Sequence, residues 1–307
     1  MARGIPRLIQ GRGFIVAHIL FIFTLIASNA SATAGTAPAL DLALMEASEL
    51  DQNRQAWTVL DARPRSEWQA GHIPGAHSFS WDEYTRTDEK GTPYRIWPVE
   101  ELAGALSRMG ITENSPLAVY GDADKSWGGE GWACWALAWI GHKGPIRFLN
   151  GGIQSWKARG YPLSTEPAVE SASSAHYRAD LRSDLDIPAP ELEANATSMI
   201  LVDTRSTVEW LMGHLPEAVH IPWTDFYTGE AHSPLDADSL KKLLQDHGID
   251  PGRPVVYYCT GGVRSGYAWM VHTLCGLPSA RNYEGGMEDW KRRLSKLARR
   301  NQKGVVE

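Results

Sequence analysis

The sequence predicts an α/β protein with two tandem domains, each a central, mainly parallel sheet flanked by helices on both faces. The chain has 307 residues, of which 43% are hydrophobic, and this length suits two domains better than one. Three sequence blocks occur twice in the same order. In both copies short apolar runs alternate with amphipathic segments, a pattern typical of parallel sheets covered on both faces.

The duplication is clearest in a block of sixteen residues that contains Asp-x-Arg, Glu-Trp and Gly-His-x-Pro. Eight of its positions are identical between the copies. Repeated blocks in a constant order, at slowly changing offsets, indicate two copies of one domain. The paired blocks are residues 61–76 and 203–218, 116–121 and 254–259, and 150–157 and 284–291. We expect a first domain at residues 40–168, a linker at 169–192 and a second domain at 193–302.

The apolar pattern also predicts individual elements of each copy. Short apolar runs predict buried strands, and regularly spaced leucines predict helices that end at a glycine. Trp132, Trp135 and Trp139 recur at helical spacing, which favours core packing over a binding stripe. The predicted strands are Thr58–Leu60, Leu117–Tyr120, Ile200–Val202 and Val255–Tyr258, and the predicted helices are Glu100–Met109 before Gly110 and Asp238–Asp246 before Gly248.

Residues 1–32 have the composition of a secretory signal peptide. Three arginines precede an apolar run at residues 14–27, and small residues offer cleavage near Ala32 or Ala34. The run is shorter than the roughly 20 residues of a membrane span, although an uncleaved anchor is the alternative. We therefore expect a periplasmic or secreted protein with no stable membrane span after cleavage.

Charge and cysteine content narrow the function. The formal net charge of −6 provides no basic footprint for nucleic acid. The sequence has 3 cysteines, and an odd, sparse set argues against a disulfide scaffold. Cys134 and Cys275 are expected to be buried core residues, which leaves Cys259 as the one chemically special thiol.

The two copies differ most where Cys259 lies. The first copy has Gly121 at the matching position, and its loop is longer by four residues. Ligands bind at the carboxyl edge of parallel strands, and Gly261 and Gly262 let the backbone approach a ligand closely. A loop that curls into a helix directs several N–H groups to one point. Such a nest would stabilise a nucleophilic thiolate.

Arg264 adds a positive charge to this loop. Its forked guanidinium suits a sulfonate, a carboxylate or a phosphate. A cysteine-dependent phosphatase would also combine a thiolate, an amide cradle and an arginine. Those enzymes need five residues between the cysteine and the arginine, whereas four intervene here. The smaller ring favours a single sulfur atom over a phosphate.

The repeated blocks, the Gly-Gly…Trp endings and the Cys-x-x-Gly-x-Arg-Ser loop resemble those of tandem rhodanese-domain sulfurtransferases, over about residues 40–300. The resemblance implies an exported bacterial-type member of the thiosulfate or 3-mercaptopyruvate sulfurtransferase class, with a structural first domain and a catalytic second one. It also implies a persulfide on Cys259 and no metal or organic cofactor. The implied partners are a small anionic donor and a thiol, cyanide or protein acceptor. The implied active-site loop residues are Thr260, Gly261, Gly262, Val263, Arg264 and Ser265.

The resemblance also implies that Arg205 helps to bind the donor. The alternative is an architectural pair of Arg205 with Glu209, as Arg63 would form with Glu67. Thiosulfate-specific members usually carry more basic loop residues, and mercaptopyruvate-specific members usually read Cys-Gly-Ser/Thr-Gly-Val-Thr. A single cation near the thiol slightly favours thiosulfate.

A non-catalytic sulfur carrier is the alternative to the enzyme. It would take a persulfide from a partner and pass it on, with little turnover of small donors.

The first copy contains further candidate residues. The acids in its loop suggest a cation site, but we expect them to be solvated. We expect the turn histidines to be structural. The acids are Asp122, Asp124 and Glu130, and the histidines are His72 and His214.

Overall fold

The computed structural model describes residues 40–168, 175–195 and 198–303. The predicted signal peptide lies outside these residues. Two α/β domains with parallel central sheets are present, so the predicted fold class is confirmed. Within the described part of the chain, no helix is both long and apolar enough to cross a membrane.

The first domain has a five-stranded parallel sheet. Its strands are β1 (Leu42–Met45), β2 (Thr58–Asp61), β3 (His77–Ser78), β6 (Leu117–Tyr120) and β7 (Ile146–Leu149), in the order β1-β7-β6-β2-β3. A small antiparallel hairpin joins β4 (Thr85–Arg86) to β5 (Arg95–Ile96). The helices are α1 (Ala47–Asn53), α2 (Arg65–Ala70), α3 (Val99–Arg108), α4 (Ala123–Ser126), α5 (Gly129–Trp139) and α6 (Gly152–Ala158).

The second domain repeats this plan with four strands. They are β8 (Ile200–Asp203), β9 (Val219–His220), β12 (Val255–Tyr258) and β13 (Ala280–Tyr283), all parallel in the order β13-β12-β8-β9. Here the antiparallel pair is β10 (Tyr227–Thr228) with β11 (Ser233–Pro234). The helices are α7 (Ala189–Asn195), α8 (Thr207–Leu211), α9 (Ala237–Asp246), α10 (Val263–Leu274) and α11 (Gly286–Lys303).

Each sheet has one face in its own domain core and one face in a core that the two domains share. Successive residues of β12 alternate accordingly: Val255 and Tyr257 lie in the shared core, and Val256 and Tyr258 in the outer core. The central helices α5 and α10 pack against each other in the shared core. A Cβ atom on Gly266 would lie 2.9 Å from Cα of Trp132, so a side chain there would push the domains apart.

The predicted elements match the structure closely. Strands β6 and β12 have the predicted bounds, β2 and β8 are one residue longer, and α3 and α9 begin one residue earlier. Gly110 and Gly248 end their helices with φ of 79° and 74°, as the helix-stop pattern predicts. Trp132 and Trp135 are fully buried in the shared core and Trp139 packs against it, which confirms that the tryptophans are core residues.

The start of the second domain differs from the expected boundary at residue 193. Ile187, Ala189 and Leu192 are buried in the outer core of the second domain. Helix α7 is therefore part of that domain, although its first residues, 189–192, lie within the stretch predicted as linker.

Candidate active site around Cys259

Cys259 lies at the carboxyl edge of the second sheet, directly after β12 and only 1% exposed. Gly262 caps α10 with φ of 78°, a backbone conformation that favours glycine. A Cβ atom at Gly262 would also lie 2.8 Å from the carbonyl oxygen of Glu284. The sharp turn from strand to helix therefore depends on a glycine at this position.

The carbonyl groups of the Cys259 loop are hydrogen-bonded to helix α11, whereas its backbone N–H groups remain free to bind a ligand. The carbonyl oxygens of Cys259 and Thr260 accept hydrogen bonds from the backbone N–H groups of Met287 and Glu288, at 2.8 and 3.1 Å. Among the described residues, no acceptor bonds the N–H groups of residues 260–265. These donors sit at the N-terminus of α10, where a negative charge is favourable. The arrangement suits a thiolate or a persulfide.

Arg264 is held in a bidentate ion pair that the sequence did not reveal. Its Nη1 and Nη2 atoms donate to the Glu209 carboxylate at 2.6 and 2.8 Å, and Nη2 also donates to Thr260 Oγ1 at 2.8 Å. Burial disfavours the guanidinium charge, but the hydrogen bond to Glu209 and the proximity of Cys259 together raise the pKa of Arg264. The hydrogen bond from Arg264 holds the pKa of Glu209 well below its ordinary value.

This pairing balances the charge of Arg264. The arginine contacts the Cys259 loop through Thr260 and is paired with the Glu209 carboxylate. Glu209 is held in turn by Ser206, whose hydroxyl donates to it at 2.8 Å in the capping box of α8. Arg264 and Glu209 therefore form an ion pair with no net charge, and this pair holds the guanidinium in place.

A cavity of about 410 Å³ opens beside Cys259 between the two domains. This size is in the range of pockets for small organic molecules. Among its described lining residues Arg264 is the one cation. The first domain contributes the aromatic residues Trp81, Tyr94 and Trp127, and the second contributes Glu209, Cys259, Thr260, Gly261, Val263 and Arg264.

Sequence reasoning missed the aromatic side of this cavity. Trp127 lies in the longer loop of the first copy, has φ of 55° and is 58% exposed. The extra length of that loop is visible in the sequence, but its reach to the cavity beside Cys259 depends on how the domains pack. The first domain therefore does more than support the second, because it builds one wall of the site.

Two of the predicted loop residues do not line the cavity. Gly262 is the helix cap, behind the turn. Ser265 is fully buried, and its Oγ has no hydrogen-bond partner among the described residues. These two residues shape the loop rather than the cavity surface.

The structure does not bring Arg205 to the cavity. Arg205 is 3% exposed, and it donates to both carboxylate oxygens of Asp203 and to the carbonyl oxygen of Gly213, the latter at 2.7 Å. Arg63 makes the same contacts to Asp61 and Gly71.

The alternative of architectural pairs of these arginines with Glu67 and Glu209 is therefore wrong. Each arginine instead pairs with the aspartate two residues before it, Arg63 with Asp61 and Arg205 with Asp203. Glu67 instead pairs with Lys125 at 2.8 Å, as Glu209 pairs with Arg264. In both domains the Asp-x-Arg repeat forms a buried ion pair.

The matching position in the first domain is filled rather than open. A Cβ atom at Gly121 would lie 2.8 Å from Cβ of Glu130, and the cavity there has only about 10 Å³. Glu130 is 3% exposed, and burial together with nearby Asp122 raises its pKa to about 7, against opposing backbone hydrogen bonding. The expectation that the loop acids are solvated holds for exposed Asp124 but is wrong for Asp122 and Glu130.

The other cysteines are poor candidates for chemistry. Burial raises the pKa of Cys134 far above its ordinary value and that of Cys275 to about 11, which suppresses the thiolate. All three cysteines are free thiols.

The two turn histidines stack on tryptophans. His72 stacks on Trp68 within the core, and His214 stacks on Trp210, in keeping with structural roles.

The second domain has a cysteine in a loop whose backbone N–H groups are free to bind a ligand, whereas the matching position in the first domain is filled. The fold and the site therefore define a duplicated α/β protein with one candidate active-site thiol among the described residues. The chain belongs to the rhodanese family, since the Rhodanese-like domain model matches residues 46–159 and 189–293.

Curated relatives agree with this membership, and a solved structure shares the fold. The sulfur carrier protein TtuD of Thermus thermophilus is 29% identical over 246 residues, covering 73% of this chain and 83% of that protein. The thiosulfate sulfurtransferase of Mus musculus is 28% identical over 247 residues, covering 75% and 80%. The anaerobic ergothioneine biosynthesis enzyme from Chlorobium limicola superposes with a TM-score of 0.72 at 22% identity, covering 81% and 68%, and this likeness shows the fold alone.

Proposed function

We propose that this protein is a sulfurtransferase that carries a sulfane sulfur on Cys259, from a small anionic donor to a thiophilic acceptor. The observation that carries the proposal is the Cys259 loop, in which the amides of residues 260–265 bond no acceptor within the described chain. A negatively charged sulfur at this point would be stabilised in both the thiolate and the persulfide state.

The reaction has two displacement steps. The Cys259 thiolate attacks the outer sulfur of thiosulfate, the bond between the two donor sulfurs breaks, and sulfite leaves with the electron pair. The acceptor then attacks the terminal sulfur of the persulfide, and the Cys259 thiolate is regenerated. With cyanide the product is thiocyanate. Each step conserves electrons, so no further oxidant or reductant is required.

Thiosulfate is the donor that we favour over 3-mercaptopyruvate. The relatives named thiosulfate sulfurtransferase support this choice. The single cation that first suggested it supports it less, because Arg264 is paired with Glu209. The sulfonate must therefore rely on the loop amides and on the small excess of positive potential at the start of α10.

A sulfur carrier with little turnover of small donors is the second candidate. The relative named sulfur carrier protein TtuD and the balanced charge of the cavity favour it. The acceptor would then be a protein thiol. A phosphatase is disfavoured, because a phosphate would have to displace Glu209 from Arg264.

We further propose that the protein is exported to the periplasm or secreted, on the basis of the composition of residues 1–32. Fractionation of cells that express the full chain, with N-terminal sequencing of the recovered protein, tests this proposal. A mature protein that begins after Ala32 or Ala34 is expected. An intact N-terminus in the cytoplasm would contradict it.

The function is tested by thiocyanate formation from thiosulfate and cyanide. Cys259→Ser should abolish it, while Cys134→Ser and Cys275→Ser should retain most of it. Comparable rates with 3-mercaptopyruvate would revise the donor. Barely measurable rates with both donors, beside a stable persulfide on Cys259, would favour the carrier. Phosphatase activity that depends on Cys259 would overturn the proposal.

A further inference from the structure

Glu284 differs between the two copies at a place that touches the catalytic loop. It immediately precedes the Gly-Gly pair of the third repeated block, and the first domain has Asn150 at the matching position. The N–H groups that hold the Cys259 and Thr260 carbonyls belong to helix α11, which starts two residues after Glu284. Glu284 therefore lies directly behind the catalytic loop, and any contact of its side chain can affect the position of that loop.

The side chain of Glu284 reaches into the first domain. One of its carboxylate oxygens accepts a hydrogen bond from the backbone N–H of Ile96 at 2.7 Å, and the other forms an ion pair with Arg95. Glu284 is 1% exposed, and its own N–H donates to the carboxylate of Asp186 at 3.1 Å. Burial raises the pKa of Glu284 to about 7, against the opposing charge of Arg95. The hydrogen bond from Ile96 does not depend on that charge, and it fixes the geometry of the contact.

The residue next to these two contacts is Tyr94, which lines the Cys259 cavity. Tyr94 has φ of 63°, a conformation that is costly for a side chain larger than glycine and persists only when its surroundings enforce it. A Cβ atom on Gly261 would lie 2.5 Å from Cβ of Tyr94. Tyr94 therefore rests directly on the catalytic loop, and only a glycine at position 261 leaves room for it.

We propose that Glu284 is a positioning residue, which holds the Tyr94–Ile96 segment of the first domain against the catalytic loop and so sets the shape of the Cys259 cavity. The inference rests on the proposed function for its kinetic consequence. Glu284 touches neither the cavity nor the reacting sulfur, and it acts through Tyr94. The Asn150 position of the filled first site lacks this link.

The test compares Glu284→Asn, which is the first-domain residue and too short to reach Ile96, with Glu284→Gln, which keeps the length and the acceptor oxygen. Two readouts are measured: kcat/KM for thiosulfate with cyanide, and the rate at which iodoacetamide alkylates Cys259 in a Cys134→Ser/Cys275→Ser background. Glu284→Asn should lower kcat/KM about tenfold and change the alkylation rate severalfold, in line with the loss of one buried hydrogen bond. Glu284→Gln should restore most of both.

A double variant separates positioning from general stability. Tyr94→Gly removes the ring and relieves the backbone, so Glu284→Asn should cause no further loss of kcat/KM in that background. Glu193→Gln is the control variant. It breaks the ion pair of Glu193, in α7, with Arg293, in α11, and it should leave both readouts unchanged.

Three results would overturn the proposal: effects of Glu284→Asn and Tyr94→Gly that multiply independently, a Glu284→Asn protein with wild-type alkylation and kinetics, or equal losses in Glu193→Gln. If the wild-type protein transfers no sulfur, the proposed function fails, and the alkylation rates still decide whether Glu284 positions the loop.

Discussion

Glu130→Gln should stabilise the protein at pH 8 while leaving its stability at pH 5 nearly unchanged. Glu130 occupies the place in the first domain where the second has its reactive thiol. Its Oε2 atom has no hydrogen-bond partner among the described residues, and burial followed by the negative charge of Asp122 disfavours its ionised form. Glutamine keeps the shape and cannot ionise.

The magnitude follows from the shift of the Glu130 pKa. Burial raises this pKa from 4.5 to about 7, and each unit corresponds to about 1.4 kcal/mol. The folded state holds the proton more tightly than the unfolded state, so the free energy of unfolding decreases as the pH rises from about 4.5 to about 7. The ionised carboxylate therefore costs about 3 kcal/mol above pH 7, and Glu130→Gln removes this cost.

Urea unfolding of both proteins at pH 5 and pH 8 measures the effect. The advantage of Glu130→Gln should grow by about 2 to 3 kcal/mol between the two values of pH. Glu193→Gln is the matched control, because the ion pair with Arg293 lowers the pKa of Glu193 and its removal gives no such gain. An advantage that does not grow with pH would refute the claim that burial and the charge of Asp122 disfavour the ionised form of Glu130.

Three further predictions concern the paired arginines. Arg264→Ala should lower kcat/KM for thiosulfate by about a hundredfold, because it leaves the Glu209 charge uncompensated beside Cys259; steady-state kinetics check this, and an unchanged value would contradict it. Glu209→Gln releases the guanidinium toward the cavity and should lower the KM for thiosulfate severalfold; a higher KM would show that the pair itself binds the donor. Arg205→Met should reduce the free energy of unfolding by about 3 to 5 kcal/mol, because it leaves Asp203 buried without its partner. In urea unfolding and active-site titration, a loss of activity per folded molecule without a loss of stability would restore a donor-binding role to Arg205.

The sequence predicts the fold well because the signal is local and present twice. The apolar runs of β6 and β12 and the glycines that end α3 and α9 obey rules that hold within a few residues. The sequence does not locate the start of the second domain, because α7 is short and its burial in the outer core of that domain depends on long-range packing.

The site was predictable only in part, for the same reason. Cys259 and its glycines stand in one continuous loop, so their chemistry can be read from spacing. The Arg264–Glu209 pair spans 55 positions, and the contact of Trp127 with the cavity depends on how α5 packs against α10. The repeat did contain a clue, since Glu209 recurs as Glu67, which pairs with Lys125 in the matching loop.

Mass spectrometry of the purified protein after brief exposure to thiosulfate, without an acceptor, shows whether Cys259 carries the transferred sulfur. The peptide containing Cys259 should gain the mass of one sulfur atom, and cyanide should remove it. The peptides containing Cys134 and Cys275 should stay unchanged. An unmodified Cys259, or a gain of sulfur that is equal on all three cysteines, would refute sulfur transfer through a persulfide on Cys259.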